Sequence, residues 1–390
     1  VGNNSLNKGS LTFLYAASFV CQMMMGATTV AVPIFAESLK ASPLIVGVIG
    51  SAGGIVYSFL PFVAGILCDR MRRKIFVVAA LALYGCSCVI YSFAEDAPML
   101  VLAKVIEWSS VAIFWPAVEA LLADSSESRL EETLKRFNLS WGSAMVIGPL
   151  VGGFLITVWY IKAPFIFSMF SSILFGALSV ITLKETARKR GTAISADAKP
   201  KKGREGSYLL ASGLASIFLF CSIDGIILTL FPAYASQLGI SAFDIGLIVF
   251  AFGAARVAAF SQSNKAESKM GKTGMFLLSS LIFGAASLLI AFSTTLPLFM
   301  LCCVLFGVGS ALAYAASITL ILGRGEASRG RAAGTFESLI GFGYFAGPLI
   351  GGVVAEHLIT APYLFGFFLS IGVFFAQLFL RRISSSDAKV

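Results

Sequence analysis

The chain has 390 residues, 57% of them hydrophobic and only 13% charged, with a mean hydropathy of +0.88. Soluble domains carry about 25% charged residues, so a water-soluble globule is excluded. The formal net charge of +9 must therefore be read against an apolar background.

A bilayer-spanning helix needs roughly 20 apolar residues in a row. In chain order, the stretches that meet this are 11–37, 43–68, 75–94, 98–123, 137–160, 163–183, 208–234, 241–263, 274–294, 297–322, 333–355 and 361–380. They lack the alternation of a barrel strand, and lipid cannot satisfy a broken backbone, so helices are predicted throughout. The expected class is an all-α membrane protein with twelve spans. The opening VGNNSLNKGS is short and polar, and it leads into a span rather than a cleavable signal.

The bases sort by side. Outside the helices, Lys40 and Lys162 alone fall in the connections of one side. The other side takes Arg70, Arg72, Arg73, Lys74, Arg129, Lys135, Arg136 and the basic run 184–204, with further bases near each later turn. Such asymmetry predicts a multi-pass cell-membrane protein with both termini cytoplasmic. The positive charge is thus an orientation signal facing the lipid bilayer, and no nucleic-acid partner is expected. The cysteines at 21, 68, 86, 88, 221, 302 and 303 share no metal-ligand spacing with the single histidine, His357. No metal, cofactor or disulfide framework is expected.

The polar stretch at 184–207 reads as a cytoplasmic linker between an N-terminal six-helix bundle, 1–183, and a C-terminal one, 208–390. The two are copies. GPLVGG begins at Gly148 and GPLIGG at Gly347, 199 residues on, and the same offset carries Phe93 to Phe292, Pro98 to Pro297 and Phe137 to Phe336. Parallel six-helix repeats are a transporter signature, with binding between the halves near the midplane.

The stretch GILCDRMRRK then resembles the loop signature G-x-L-x-D-R-x-G-R-K of the major facilitator superfamily, through Gly65, Leu67, Asp69, Arg70, Arg73 and Lys74. Arg72 stands where that family usually has glycine, and the copy at 264–273 is degenerate. The resemblance implies an MFS fold and a cytoplasmic latch. Asp69 would face the start of helix eleven near Gly330, and Arg70 or Arg73 would pair with Asp124. The segment around Gly148, Pro149, Gly152 and Gly153 resembles the motif G-x-x-x-G-P-x-x-G-G of the drug/proton antiporter branches, and Gly347, Pro348, Gly351 and Gly352 repeat it. Small-residue packing around a kink explains the same residues without any direction of transport.

Ionisable groups inside a span cost about 2.5 to 3.5 kcal/mol each on insertion scales, and each is a candidate for function. Helix four is the richest in them. With Lys104 set at zero, Trp108 lies near about +40°, Trp115 about +20°, Glu119 about +60° and Glu107 about −60°. This stripe is expected to line a central chamber. Lys104 and Glu107, three apart, suit either an intrahelical pair or a substrate or proton site. By the resemblance, Lys104 falls where the family's helix-four motif often has arginine. Asp224 is isolated in helix seven and is a second candidate proton carrier, while Arg256 and Glu337 are candidates for a gate or a structural pair. In helix one, Tyr15, Ser18, Gln22, Gly26 and Thr29 share a stripe about 80° wide that suits ligand contact.

The expected function is secondary active transport of a small organic compound by alternating access. Proton-coupled efflux is the first reading; proton-coupled uptake of an organic solute or anion, or lipid flipping, stays open. The chain is expected to act as a monomer and not as an enzyme, since no P-loop or catalytic-triad spacing is visible.

Overall fold

The computed structural model describes residues 8–123, 130–183, 204–322 and 329–387. They form α1 (Lys8–Ser38), α2 (Pro43–Arg70), α3 (Arg73–Phe93), α4 (Ala97–Ala123), α5 (Leu130–Val158), α6 (Ala163–Thr182), α7 (Arg204–Gln237), α8 (Ala242–Ser261), α9 (Ser263–Ala291), α10 (Leu296–Leu322), α11 (Arg329–Ala355) and α12 (Ala361–Asp387). All twelve are long and apolar enough to cross a bilayer. No strand occurs among the described residues. Prolines open several helices where a missing N–H costs nothing: Pro43 starts α2, and Pro164 lies in the first turn of α6.

The repeat extends to the turns. Lys40, after α1, and Gly239, after α7, are 199 residues apart and both take positive φ, 57° and 77°. In each turn a later N–H reaches back five residues, Ala41 to the Ala36 carbonyl at 3.0 Å and Ile240 to Ala235 at 3.1 Å. That is the left-handed helix stop glycine favours, and Lys40 adopts it at some steric cost. The mates Arg72 and Gly271 differ instead. Arg72 sits at φ −73°, a region open to any residue, whereas Gly271 takes φ 67° and breaks α9. The departure of Arg72 from the loop signature is therefore no obstacle to the turn.

The chain divides into two compact units: residues 1–41, 59–191 and 235–250 form unit 1, and 42–58, 192–234 and 251–390 form unit 2. Each unit thus holds a helical piece from the other half of the sequence. The predicted linker lies mostly outside the described residues.

In unit 1, α1 packs on α5 and α6, and α3 on α4 and α6. The α1–α5 crossing has almost no side chain in it. A Cβ on Gly26 would meet Gly148 Cα at 2.8 Å, and one on Gly152 would meet Ala27 Cα at 2.8 Å. The neighbouring Gly153 faces the other way, onto Gly246 of α8. In unit 2, α9 packs on α10 and α12. There Gly347 meets Ser222 of α7, and Gly352 meets Gly47 of α2. The repeated GPxxGG segments are therefore two-sided surfaces on which backbones approach closely.

Candidate functional site

Two buried carboxylates organise the polar interior, one in each unit. The first is Glu107, on α4. Its Oε2 receives hydrogen bonds from Lys104 Nζ at 3.0 Å and Tyr91 OH at 2.7 Å, and its Oε1 one from Thr28 Oγ1 at 2.8 Å. Thr28 Oγ1 also lies 3.2 Å from Tyr84 OH. The acid is 2% exposed and both tyrosines are fully buried. Helix geometry explains the convergence. Lys104 and Glu107 are neighbours on one face of α4, and Tyr84 and Tyr91, seven apart, share one face of α3. Glu107 thus directs its charge toward α1 and α3.

The second is Asp224, on α7, with no exposed surface. Its Oδ2 accepts from Arg256 Nη1 of α8 at 3.2 Å and its Oδ1 from Ser310 Oγ of α10 at 2.7 Å. The Arg256 guanidinium lies 4.9 Å from the Phe220 ring centroid and 6.0 Å from that of Tyr314, and it bonds Tyr344. Its side chain keeps 19% exposure where Asp224 has none. The guanidinium is thus held between aromatic faces beside the acid, with part of it left accessible.

Each unit also carries an aromatic cluster. Trp115 packs on Phe114, Phe137 and Trp141, with the Phe137 centroid at 6.1 Å. Its repeat mate Tyr314 packs on Phe336, the mate of Phe137, at 5.8 Å. One aromatic pair is thus kept in position across the repeat while the charges are not.

The other predicted residues fall as follows. Trp108, Tyr15 and Gln22 are half-buried, and the Tyr15 carbonyl accepts from Ser140 Oγ at 2.6 Å. Ser18 is turned inward on its own helix, bonding the Leu14 carbonyl. Arg256 is paired with Asp224, and Glu337 bonds Tyr57. At the loop signature, Arg73 Nη1 bonds the Ala120 carbonyl at the end of α4 at 2.6 Å, and Lys74 Nζ bonds the Val180 carbonyl of α6. Arg70 is exposed, and a Cβ on Gly65 would meet nothing within 4 Å. The Asp69 side chain, Asp124 and the side chains at the start of α11 lie outside the described residues, so the predicted latch contacts do too.

Sequence reasoning did not find Thr28, Tyr84, Tyr91, Ser310 or Tyr344. The spacing of Tyr84 and Tyr91 was available as a signal, since it puts two hydroxyls on one side of a span. Ser310 offered none.

A profile of the Major Facilitator Superfamily matches residues 14–263 and 213–389. The chain belongs to this family. An uncharacterised MFS-type transporter of Methanocaldococcus jannaschii is 23% identical over 92% of this chain and 95% of its own length. Multidrug resistance protein 1 of Bacillus subtilis is 24% identical over 93% and 94%. Among solved structures, the nucleoside transporter NupG aligns with a TM-score of 0.75 and 16% identity, over 95% of this chain and 98% of that one. That likeness shows a shared fold. The protein is a multi-pass membrane transporter for small molecules.

Proposed function

We propose that this transporter exports small, partly apolar organic compounds in exchange for protons, and that Asp224 is the carboxylate on which the two meet. The observation that carries this reading is the Arg256–Asp224 pair, a fully buried acid held by a base that is still partly exposed. Asp224 then has three claimants: Arg256, a proton, and a cationic or hydrogen-bond-donating substrate. The intact pair ties α7 to α8, and Ser310 ties α7 to α10. Either a proton or a substrate on Asp224 dissolves that tie, and an empty site keeps it. Movement is thereby coupled to occupancy by one ligand or the other, which is the condition for exchange. The flanking Phe220 and Tyr314 suit the apolar part of a substrate.

Lys104 and Glu107 are the alternative coupling pair. Glu107 accepts three hydrogen bonds inside α1, α3 and α4, so both its oxygens are already engaged within unit 1. The half-buried Trp108, Gln22 and Tyr15 of unit 1, with Trp115, are further proposed substrate contacts. The multidrug resistance relative supports export as the direction. The distribution of bases supports cytoplasmic termini.

Everted membrane vesicles with a fluorescent lipophilic cation outside test the direction. An exporter accumulates the dye when the vesicle interior is acidified, and collapse of the gradient releases it. Accumulation that ignores the gradient contradicts the reading. The exposed edge of Arg256 favours one second reading, proton-coupled uptake of an aromatic carboxylate. Gradient-driven entry of labelled benzoate into right-side-out vesicles would support that instead.

A further inference from the structure

Near the turns from α1 to α2 and from α7 to α8, three hydrogen bonds, each within one unit, join helices from different sequence halves. Ser236 Oγ donates to Glu37 Oε2 at 3.2 Å, and these residues are 199 apart, so a position bonds its own copy. Leu44 N–H of α2 donates to Glu356 Oε1, just past α11, at 2.8 Å. Phe243 N–H of α8 donates to Thr157 Oγ1 of α5 at 3.1 Å. Leu44 maps onto Phe243 and Thr157 onto Glu356 by the same offset. One closure is built twice, once with a carboxylate and once with a hydroxyl.

The copies are unequal in three ways. The first turn of a helix leaves N–H groups unpaired and carries partial positive charge. For α2 that end receives the Glu356 carboxylate, which also bonds Ser42; a charge-assisted bond is roughly twice as strong as a neutral one. These bonds hold the Glu356 carboxyl below the usual carboxylate range, aided by the adjacent His357, so it is ionised at neutral pH. The α8 end largely caps itself: Asp244 N–H donates to Ser241 Oγ at 3.1 Å, and Ser241 Oγ donates back to Asp244 Oδ2 at 2.7 Å. Thr157 adds a single neutral bond. The backbone contacts differ in length as well. Residues 42–58 of the α2 region belong to unit 2, with Gly47 on Gly352, Gly54 on Phe345 and Ser58 on Gly341. The α8 piece in unit 1 stops at Phe250, and its close contacts are Ala242 and Gly246 with Gly153, and Gly246 with Pro149.

We propose that the two crossings divide the labour of opening: α2–α11, closed by Glu356, is the hinge that holds, and α5–α8, closed by Thr157, is the seam that parts first. This rests on the transporter alternating between conformations, but it needs neither a proton gradient nor a particular substrate.

Spin labels on unnatural amino acids, with the native cysteines left in place, test it in the full chain in nanodiscs at neutral pH. One pair, at Ile45 and Leu358, reports the hinge; the other, at Val158 and Leu238, reports the seam. All four sites are exposed. The expected result is one narrow distance for the hinge pair and an added longer component for the seam pair. Glu356→Thr, which copies the weaker closure, should bring to the hinge pair a longer component that the unsubstituted protein lacks. Thr157→Glu should shrink the longer component of the seam pair, and it serves alone if Glu356→Thr does not fold. A longer component in the hinge pair equal to or above that of the seam, its absence from both pairs, or no response to the substitutions overturns the proposal. No substrate or gradient is present, so that failure is separate from failure of proton exchange.

Discussion

Glu107 and Asp224 are both buried carboxylates beside a base, yet they are built for opposite ends. Glu107 is saturated: three donors from three helices converge on two oxygens, and its base is its own helical neighbour. Asp224 is held from two other helices, and its base keeps an accessible edge among aromatic rings. A charge fixed locally stabilises a unit. A charge fixed between helices reports on their arrangement and can be exchanged when a ligand competes. If the proposed exchange holds, burial alone does not mark a coupling residue; a base drawn from another helix and still partly exposed does.

The sharpest way to break this comparison is to neutralise each acid in turn. Asp224→Asn should lower gradient-driven dye transport by about a hundredfold, as loss of a group acting in the exchange itself would, while the protein still folds. Glu107→Gln should lower the yield of folded protein more than the transport rate of what survives. The reverse pattern would make Glu107 the carrier. Next in size, Lys104→Met leaves Glu107 without its cation and should cost about 3–5 kcal/mol of stability, read as an earlier melting transition in detergent. Tyr91→Phe removes one donor to the same carboxylate and should cost about 1.5–3 kcal/mol, with transport per folded molecule unchanged. Equal transport losses for Tyr91→Phe and Asp224→Asn would erase the distinction.

The smallest effect concerns the exposed Glu356. Its carboxyl is held below the usual range by Ser42 and the Leu44 N–H, so the folded state favours the ionised form. Its contribution is complete above the ordinary glutamate range and is lost as pH falls through the lowered value. Melting curves of the wild type and Glu356→Gln should therefore differ above about pH 5 and converge in stronger acid. Curves that stay parallel into acid would contradict the bond.

Much of the fold was legible in the sequence. The apolar lengths marked out twelve helices, and the 199-residue offset is visible again in the turns at Lys40 and Gly239. The Lys104–Glu107 pair followed from helix geometry, because both partners sit on one helix. The partner of Arg256 did not follow. Asp224 and Glu337 lie on different helices, both in reach of α8 on paper, and only the packing of α7 against α8 and α10 decides between them. The tyrosines around Glu107 escaped for the same reason, since hydroxyls in an apolar span carry no charge to draw notice.

The proposed exchange requires Asp224 to be shared between proton and substrate. Proton release on binding tests this most directly: tetraphenylphosphonium added to purified, weakly buffered protein at a pH acid enough for a proton, rather than Arg256, to occupy Asp224, followed with a pH indicator. Linkage requires that a ligand displacing the proton releases it, about one per molecule at most. The wild type should release protons, Glu107→Gln should do the same, and Asp224→Asn should bind the cation with no release. Release from Asp224→Asn equal to the wild type would contradict the central claim.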